Sequence, residues 1–545
     1  MRFERINLTE CKKGIINMDN SDESEISSKK GIIKIKKIPF KNVKCITIAK
    51  ELVYWLFIFV LIKFYDYYSM YLEISLESRK IFRIVLILVA LIFDIIWHFI
   101  KKDKVQMHKK FIALALIFGM VYLIISPFGS GNDEVSHFLR VYEISEKYVT
   151  FEKKERNDFS IVFQNLEDYK KEDNITYKKY SEEFHKFELD NSEKMDLTHL
   201  YWNIKLYSPL QYLPQVIGVT IGRVISNNIL VIGMFGRIAG FAFWLVLCAY
   251  SIKIVPNKKT FFTILCLLPI NLYSAVCLSG DTVTNAICVF FIAMIYKKVY
   301  NEEKITKKEK IMLIISACMI ALCKIVYLPI IFLVLLLKPQ NFDNKKSFIK
   351  FVCILIILSS IVGLGWLKLG SRILGAVNTL SKNQVEFILE NPIRYCLIMI
   401  ETMQEKGTDY IYQLVTGNEL LSNGKTVVFP ILSYIISIIL LMSLFIVDDE
   451  KNVKVDFLRK LMVWGIIVGI IVLIITAIYV QWTSLFEIGR RIVAGIQGRY
   501  FIPVVAICIF IIDSINLKMK KENLVYILSI LQFPILFLIM NTFMR

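Results

Sequence analysis

The chain has 545 residues, 56% of them hydrophobic, with 66 Lys+Arg against 47 Asp+Glu for a formal net charge of +19. A soluble globular domain carries about 45–50% apolar residues; here the excess is gathered in long uncharged runs such as 84–100, 231–249, 351–366 and 462–480, which excludes an ordinary soluble fold. The basic residues are spread through a tail and short connections without interleaved aromatics, which excludes a nucleic-acid interface.

Runs of this length read as membrane spans. Backbone groups in lipid must bond internally, so the spans are helices or a closed barrel, and the absence of period-2 alternation rules out the barrel. The fold class expected is therefore an all-α polytopic integral membrane protein with eleven to thirteen transmembrane helices. The eleven cysteines lie mostly inside apolar runs without a CxxC pair and read as small apolar fillers, not as a zinc site or disulfide framework.

Residues 1–45 form a Lys-rich tail without a cleavable leader, expected to be cytoplasmic. Two helices follow over 46–110, at about 46–64 and 81–100, then a basic connection and a third span at 111–127. This order places the long stretch 128–207 outside, and its 17 acidic against 12 basic residues suit that side. The Pro-interrupted piece 209–225 reads either as a span or as a re-entrant element. Further crossings are expected at 230–251, 261–278 and 283–296, then as a hairpin of 311–322 and 326–337. The last group lies at 348–366, 427–447, 461–480, 500–515 and 525–543. Two more outer loops span 367–425 and 481–499, and the short basic inner connections leave no room for a soluble catalytic domain. Chemistry is therefore expected at the outer membrane–water boundary.

The polar residues of interest sit on that side. After Gly129-Ser130-Gly131, Asn132 is a candidate helix N-cap. Val135, Phe138, Leu139 and Tyr142 then recur at helical spacing, with Asp133, His137 and Arg140 on the other face. This predicts an amphipathic juxtamembrane helix carrying two carboxylates, Asp133 and Glu134, and an imidazole along the outer leaflet. The bland alternative is that these acids only favour a helix dipole. Asp281 stands at the Ser279-Gly280-Asp281 turn, either as a functional carboxylate or as a solvated cap. Lys324 is the only charge between 311 and 337, and either snorkels or anchors a phosphate. Arg490, Arg491 and Arg499 oppose the positive-inside trend and want an anionic partner: a lipid-linked phosphate, outer-loop carboxylates or headgroups.

Taken in order, five segments resemble the motifs of a known family. They are Asn132-Asp133-Glu134 with His137-Phe138, Arg140 and Tyr142; Tyr207-Ser208-Pro209-Leu210-Gln211-Tyr212-Leu213-Pro214-Gln215 with Gly222-Arg223; Leu267-Leu268-Pro269 through Ser279-Gly280-Asp281 and Thr284-Asn285; Ala321-Leu322-Cys323-Lys324 with Tyr327-Leu328-Pro329; and Gln497-Gly498-Arg499-Tyr500-Phe501-Ile502-Pro503. The family is the bacterial membrane proteins of domain of unknown function 2142, which resemble the glycosyltransferase C superfamily. The resemblance runs over about 111–543 within a 111–545 membrane domain; Asn132 stands where the family has Pro, and 417–425 matches poorly.

The superfamily resemblance implies a polyprenyl-phosphate sugar donor used on the outer face of the bacterial cytoplasmic membrane. It also implies an envelope polysaccharide or glycolipid acceptor. A first-loop acid, Asp133 or Glu134, would be the general base. Lys324 and Arg499 would stabilise the departing phosphate and Asp281 would orient acceptor or metal, with His137, Arg140 and Tyr500 also against substrate. The sequence names no cofactor with certainty and leaves a divalent metal open. Asp133, Glu134 and His137 are candidate ligands for a divalent cation, without a fourth in view. The rival readings are a transporter or flippase of lipid-linked sugars, which the scarcity of charges inside spans disfavours, and a non-catalytic envelope-assembly partner.

Overall fold

The computed structural model of the chain describes residues 40–71, 74–102, 104–131, 133–145, 176–189, 207–301, 303–373, 379–417, 430–446, 455–513 and 521–543, with single positions between them at 166, 168 and 204. Most of the Lys-rich tail, the Asn132 cap and the 418–429 part of the second outer loop lie outside the described residues. The chain divides into two compact units, residues 1–59 and 60–545, and the candidate site lies wholly in the second.

The described residues are mostly helical, with a single isolated antiparallel bridge between Glu188 and Asn228 among them. In chain order the helices are α1 (Phe40–Tyr71), α2 (Leu76–Ile100), α3 (Met107–Ile125), α4 (Glu134–Ser145), α5 (Tyr177–Glu182), α6 (Leu213–Ile225), α7 (Ile229–Ile254), α8 (Lys259–Cys266) and α9 (Pro269–Val276). They continue as α10 (Gly280–Asn301), α11 (Lys307–Cys323), α12 (Lys345–Ile373), α13 (Thr379–Glu390), α14 (Pro392–Thr416), α15 (Pro430–Phe445), α16 (Phe457–Gln481), α17 (Ile502–Ile507) and α18 (Lys521–Phe543). A 3-10 run, Ile325–Leu336, follows α11.

Seven helices among the described residues are long and apolar enough to cross a membrane, and the bent pair α8–α9 would make an eighth. That is fewer than the eleven to thirteen expected, because several apolar runs fold as short or broken helices. The stretch expected as one crossing at 261–278 bends by 59° between α8 and α9. Pro269 opens α9, where its missing N–H costs nothing. The carbonyls freed at the break still need donors in a dry interior. Gln532 Nε2 donates to Leu267 O at 2.7 Å, while Tyr122 Oη donates to Gln532 Oε1 at 2.8 Å. Asn271 Nδ2 covers Leu265 O at 3.1 Å.

The piece whose crossing was open, 209–225, is a 3-10 turn, Pro209–Tyr212, followed by the 13-residue α6. Such a helix is roughly 20 Å long, short of a hydrocarbon core of about 30 Å. It lies against α7, and small residues set the approach. A Cβ on Gly218 would stand 2.3 Å from the carbonyl oxygen of Phe235. The expected outer loop at 367–425 contains two helices, α13 and α14.

α10 is the axis of the bundle. In its most apolar stretch 94% of residues are buried, against 28% for α12, whose Ile357, Ile361 and Leu364 point outward. Its first turn carries Asp281 and its last turn Lys298.

Candidate functional site

Four interruptions of helix meet at the start of α10. The first follows α3, where Gly129 (φ +88°) and Asp133 (φ +55°) turn the chain into α4. Tyr180 Oη fixes this turn by donating to Phe128 O at 2.6 Å. The second joins α9 to α10. Ser279 Oγ accepts from the Asp281 N–H at 3.1 Å, and a carboxylate in a first helical turn is favoured by the helix dipole. Gly280 is needed there for close approach, since a Cβ would stand 2.3 Å from Gln211 Nε2. That amide donates to Gly280 O and to Thr284 Oγ1, both at 3.0 Å, and Gln215 Nε2 donates to Ser279 O at 2.9 Å. The third interruption is Lys324, extended at φ −149° and ψ 112° between α11 and the 3-10 run. The fourth is the 3-10 turn Gly498–Phe501, whose Gly498 N–H donates to Gln413 Oε1 of α14 at 2.8 Å.

These interruptions bring four charges into one cluster. Asp281, buried to 3% exposure, accepts a hydrogen bond from Lys324 Nζ on one oxygen. Arg499 Nε lies 2.8 Å from its other oxygen, Oδ2. The Nε–H is not aimed at that oxygen, so it is buried without a hydrogen bond among the described residues. Arg499 NH2 stands 3.8 Å from Asp133 Oδ2, and the Asp133 side chain is 51% exposed, the open edge of the cluster. The Tyr500 ring centroid is 4.6 Å from Lys324 Nζ and 5.5 Å from the Arg499 guanidinium. The Tyr207 ring is 5.9 Å from Lys324 Nζ. Tyr327 Oη donates to Tyr500 O at 2.8 Å and holds that turn in place.

An apolar cavity of about 120 Å³ opens beside Lys324. Lys324, Tyr207, Tyr500 and Gln481 bring polar groups to its lining, and Trp366, Leu367 and Ile478 from α12 and α16 are part of its apolar wall.

The remaining expected residues stand around this core. His137 is buried, with Nδ1 2.7 Å from Tyr212 Oη and its ring stacked on Tyr207 at 6.2 Å. Burial pushes the imidazole down to about 4 despite the pull of Asp133 and Asp281, so it is neutral at pH 7. Glu134 turns away from the opening. Its carboxylate is fully buried and accepts five hydrogen bonds: from Arg237 Nε (2.7 Å) and NH2 (2.5 Å), and from the backbone N–H groups of Gly129 (3.0 Å), Gly131 (3.1 Å) and Leu278 (2.8 Å). Burial alone would raise that carboxyl, but Arg237 and the backbone donors outweigh it and hold it below its ordinary value. Arg140 NH1 donates within its own helix to Glu143 at 2.8 Å.

α4 is present where the periodicity predicts it, but it does not lie on a leaflet with a wet face. Glu134, His137, Arg140 and Glu143 are buried along with Val135, Phe138 and Leu139, because other segments cover both sides. Tyr212, Phe187 and Leu278 belong to the same packed cluster. Asp133, Glu134 and His137 do not bring ligand atoms within 4.8 Å of one another as a set. Arg490 stacks on Phe486 at 5.4 Å, and Arg491 Nε pairs with Glu401 at 3.0 Å, so the outer-loop carboxylates meet Arg491 as the second alternative had it.

Sequence reasoning did not assign roles to Arg237, Gln211, Gln413 or Tyr207. Arg237 carried a signal, as a lone charge inside the apolar run 231–249 that needs a partner. Tyr207 and Gln211 carried one only as members of the second family-like motif, and Gln413 carried none.

Helix content, spans and a buried cluster of charges define a multi-pass α-helical membrane protein. The chain belongs to the predicted membrane protein family DUF2142, whose sequence profile matches residues 116–508 and so takes in every residue of the cluster. No curated protein and no solved structure matches it.

Proposed function

We propose that this protein is a membrane glycosyltransferase that moves a sugar from a polyprenyl-phosphate donor to an envelope polysaccharide or glycolipid. The transfer takes place on the outer face of the bacterial cytoplasmic membrane, with the N-terminus inside. The observation that carries the reading is the Lys324–Asp281–Arg499 cluster with Asp133 at its edge and an apolar cavity beside it.

Lys324 and Arg499 share one fully buried carboxylate, the second carboxylate of the cluster stands at its half-exposed edge, and the buried Arg499 Nε–H keeps no aligned acceptor among the described residues, so the cations have donors left for a further anion. A phosphate ester fits that need, because guanidinium and ammonium both donate to its oxygens. The cavity wall of Trp366, Leu367 and Ile478 suits the first part of an isoprenoid chain. Asp133 is the exposed carboxylate of the set and would act as general base. It takes the proton of an acceptor hydroxyl as that oxygen bonds to the anomeric carbon. The bond from that carbon to the phosphate oxygen breaks, and the lipid phosphate leaves with its added charge facing Lys324 and Arg499. One displacement inverts the anomeric centre. Neutral His137, bonded to Tyr212 and stacked on Tyr207, would act by positioning the Tyr207 ring at the cavity, not as a cation.

The test is Asp133→Asn expressed in a strain lacking the native gene. The protein should insert and fold as wild type, while the envelope glycan loses one sugar and the sugar-charged polyprenyl phosphate accumulates. An unchanged glycan profile with normal protein levels rejects the reading.

A further inference from the structure

The Glu134–Arg237 pair is the best-connected buried charge set that the proposed transfer does not use, with both side chains at 0% exposure. A pair that served only to neutralise itself would need only Arg237 against Glu134. This one reaches further. Glu134 Oε2 accepts from Gly129 N–H and Gly131 N–H, and Oε1 accepts from Leu278 N–H. Glu134 directly follows Asp133, and Leu278 lies shortly before Asp281 in the turn that opens α10. A single carboxylate therefore ties the turn bearing Asp133 to the turn bearing Asp281. Arg237 closes the other side by donating to Ser126 O at 2.6 Å and Pro127 O at 3.0 Å. Between these ties Asp133 sits at φ +55°, a left-handed conformation uncommon outside glycine but open to Asp as a single residue.

We infer that Glu134 and Arg237 are a positioning pair that fixes the separation of the Asp133 and Asp281 turns and holds Asp133 in its left-handed conformation. The purpose of that separation rests on the transfer reading; the mechanical link does not. Hydrogen bonds from backbone N–H groups to an ionised carboxylate are stronger than neutral ones, and three of them converge on this one, so the link is stiff. Glu134 has no lone pair left for a substrate proton and acts through its neighbours.

The link is tested by amide hydrogen exchange on the full chain in lipid nanodiscs. Glu134→Gln should speed exchange at least tenfold at both Gly129–Gly131 and Leu278, although these are far apart in sequence. Arg237→Lys, a milder change that keeps the charge, should speed both by a smaller factor and serves if the glutamine variant does not fold. The reversed pair, Glu134→Arg with Arg237→Glu, should not restore protection, because an arginine at 134 cannot accept from three N–H groups. Unchanged exchange at Leu278 in both single variants, or protection restored by the reversal, overturns the inference. Farnesyl phosphate binding is measured on the same samples. Linked exchange with no binding by wild type rejects the transfer reading and leaves the positioning pair standing; binding with Leu278 unlinked does the opposite.

Discussion

The two ends of α10 both carry charged residues, yet they are built on different principles. At its C-terminal end Lys297 and Lys298 meet Glu309 at 3.1 and 2.9 Å, across a short connection closed by a capping box between Thr306 and Glu309. Nearby Lys304 and Asp343 pair at 3.4 Å with both side chains 73% exposed. At the N-terminal end Asp281 meets Lys324 and Arg499, and Glu134 meets Arg237 from 103 residues away, nearly all of it buried. Lys298 is itself buried, but it meets its partner across one short connection; such local pairs shape a turn, and the exposed Lys304–Asp343 pair tolerates loss. Distant, dry pairs set the relative positions of chain segments, and removing one partner strands the other.

The contrast is open to direct attack. Arg237→Ala should have the largest effect, a loss of about 3–5 kcal/mol, because it leaves a buried carboxylate unpaired; the check is thermal unfolding of the purified protein. Gly498→Ala comes next. Its Cβ would stand 2.3 Å from Leu414 N, so α14 or the Arg499 turn must shift. The overpacking should cost about 1–3 kcal/mol and weaken farnesyl phosphate binding, measured by titration.

Acid should then separate the two ends. His137 titrates near 4 when folded against about 6.5 unfolded, so the unfolded chain binds more protons in between. The His137 contribution to stability should fall as pH drops from about 6.5 to about 4, by at most about 1.4 kcal/mol per unit, and change no further below that, where protonation of the Glu134 carboxylate continues the loss. His137→Gln should flatten this slope in thermal midpoints taken across that range. Lys304→Ala should do least, within about 1 kcal/mol, since the pair is exposed. A Lys304 effect as large as that of Arg237 would break the comparison.

The sequence made the helices legible where one physical rule governs them. The run 231–249 became α7, and 84–100 lies inside α2, because length and apolarity alone decide a span. Pro269 was visible, but its consequence was not. A span broken beside a proline depends on Gln532 and Asn271 for its carbonyls, and those donors come from the fold. The spacing of Val135, Phe138 and Leu139 marked α4 correctly, yet periodicity cannot tell whether a polar face meets water or a buried arginine. For the same reason Asp133 and Glu134 looked equivalent in sequence and differ wholly in structure, one half-exposed and one sealed. Asp281, Lys324 and Arg499 were each conspicuous as charges near apolar runs, while their meeting is a tertiary fact.

The most direct measurement is a titration of the purified protein in nanodiscs with farnesyl phosphate and, separately, with farnesol. Arg499 and Lys324 should bind the phosphate ester and leave the alcohol at least tenfold weaker, with that preference lost in Arg499→Ala. Equal affinity for ester and alcohol, or a preference that survives without Arg499, would contradict a phosphate site at the head of α10.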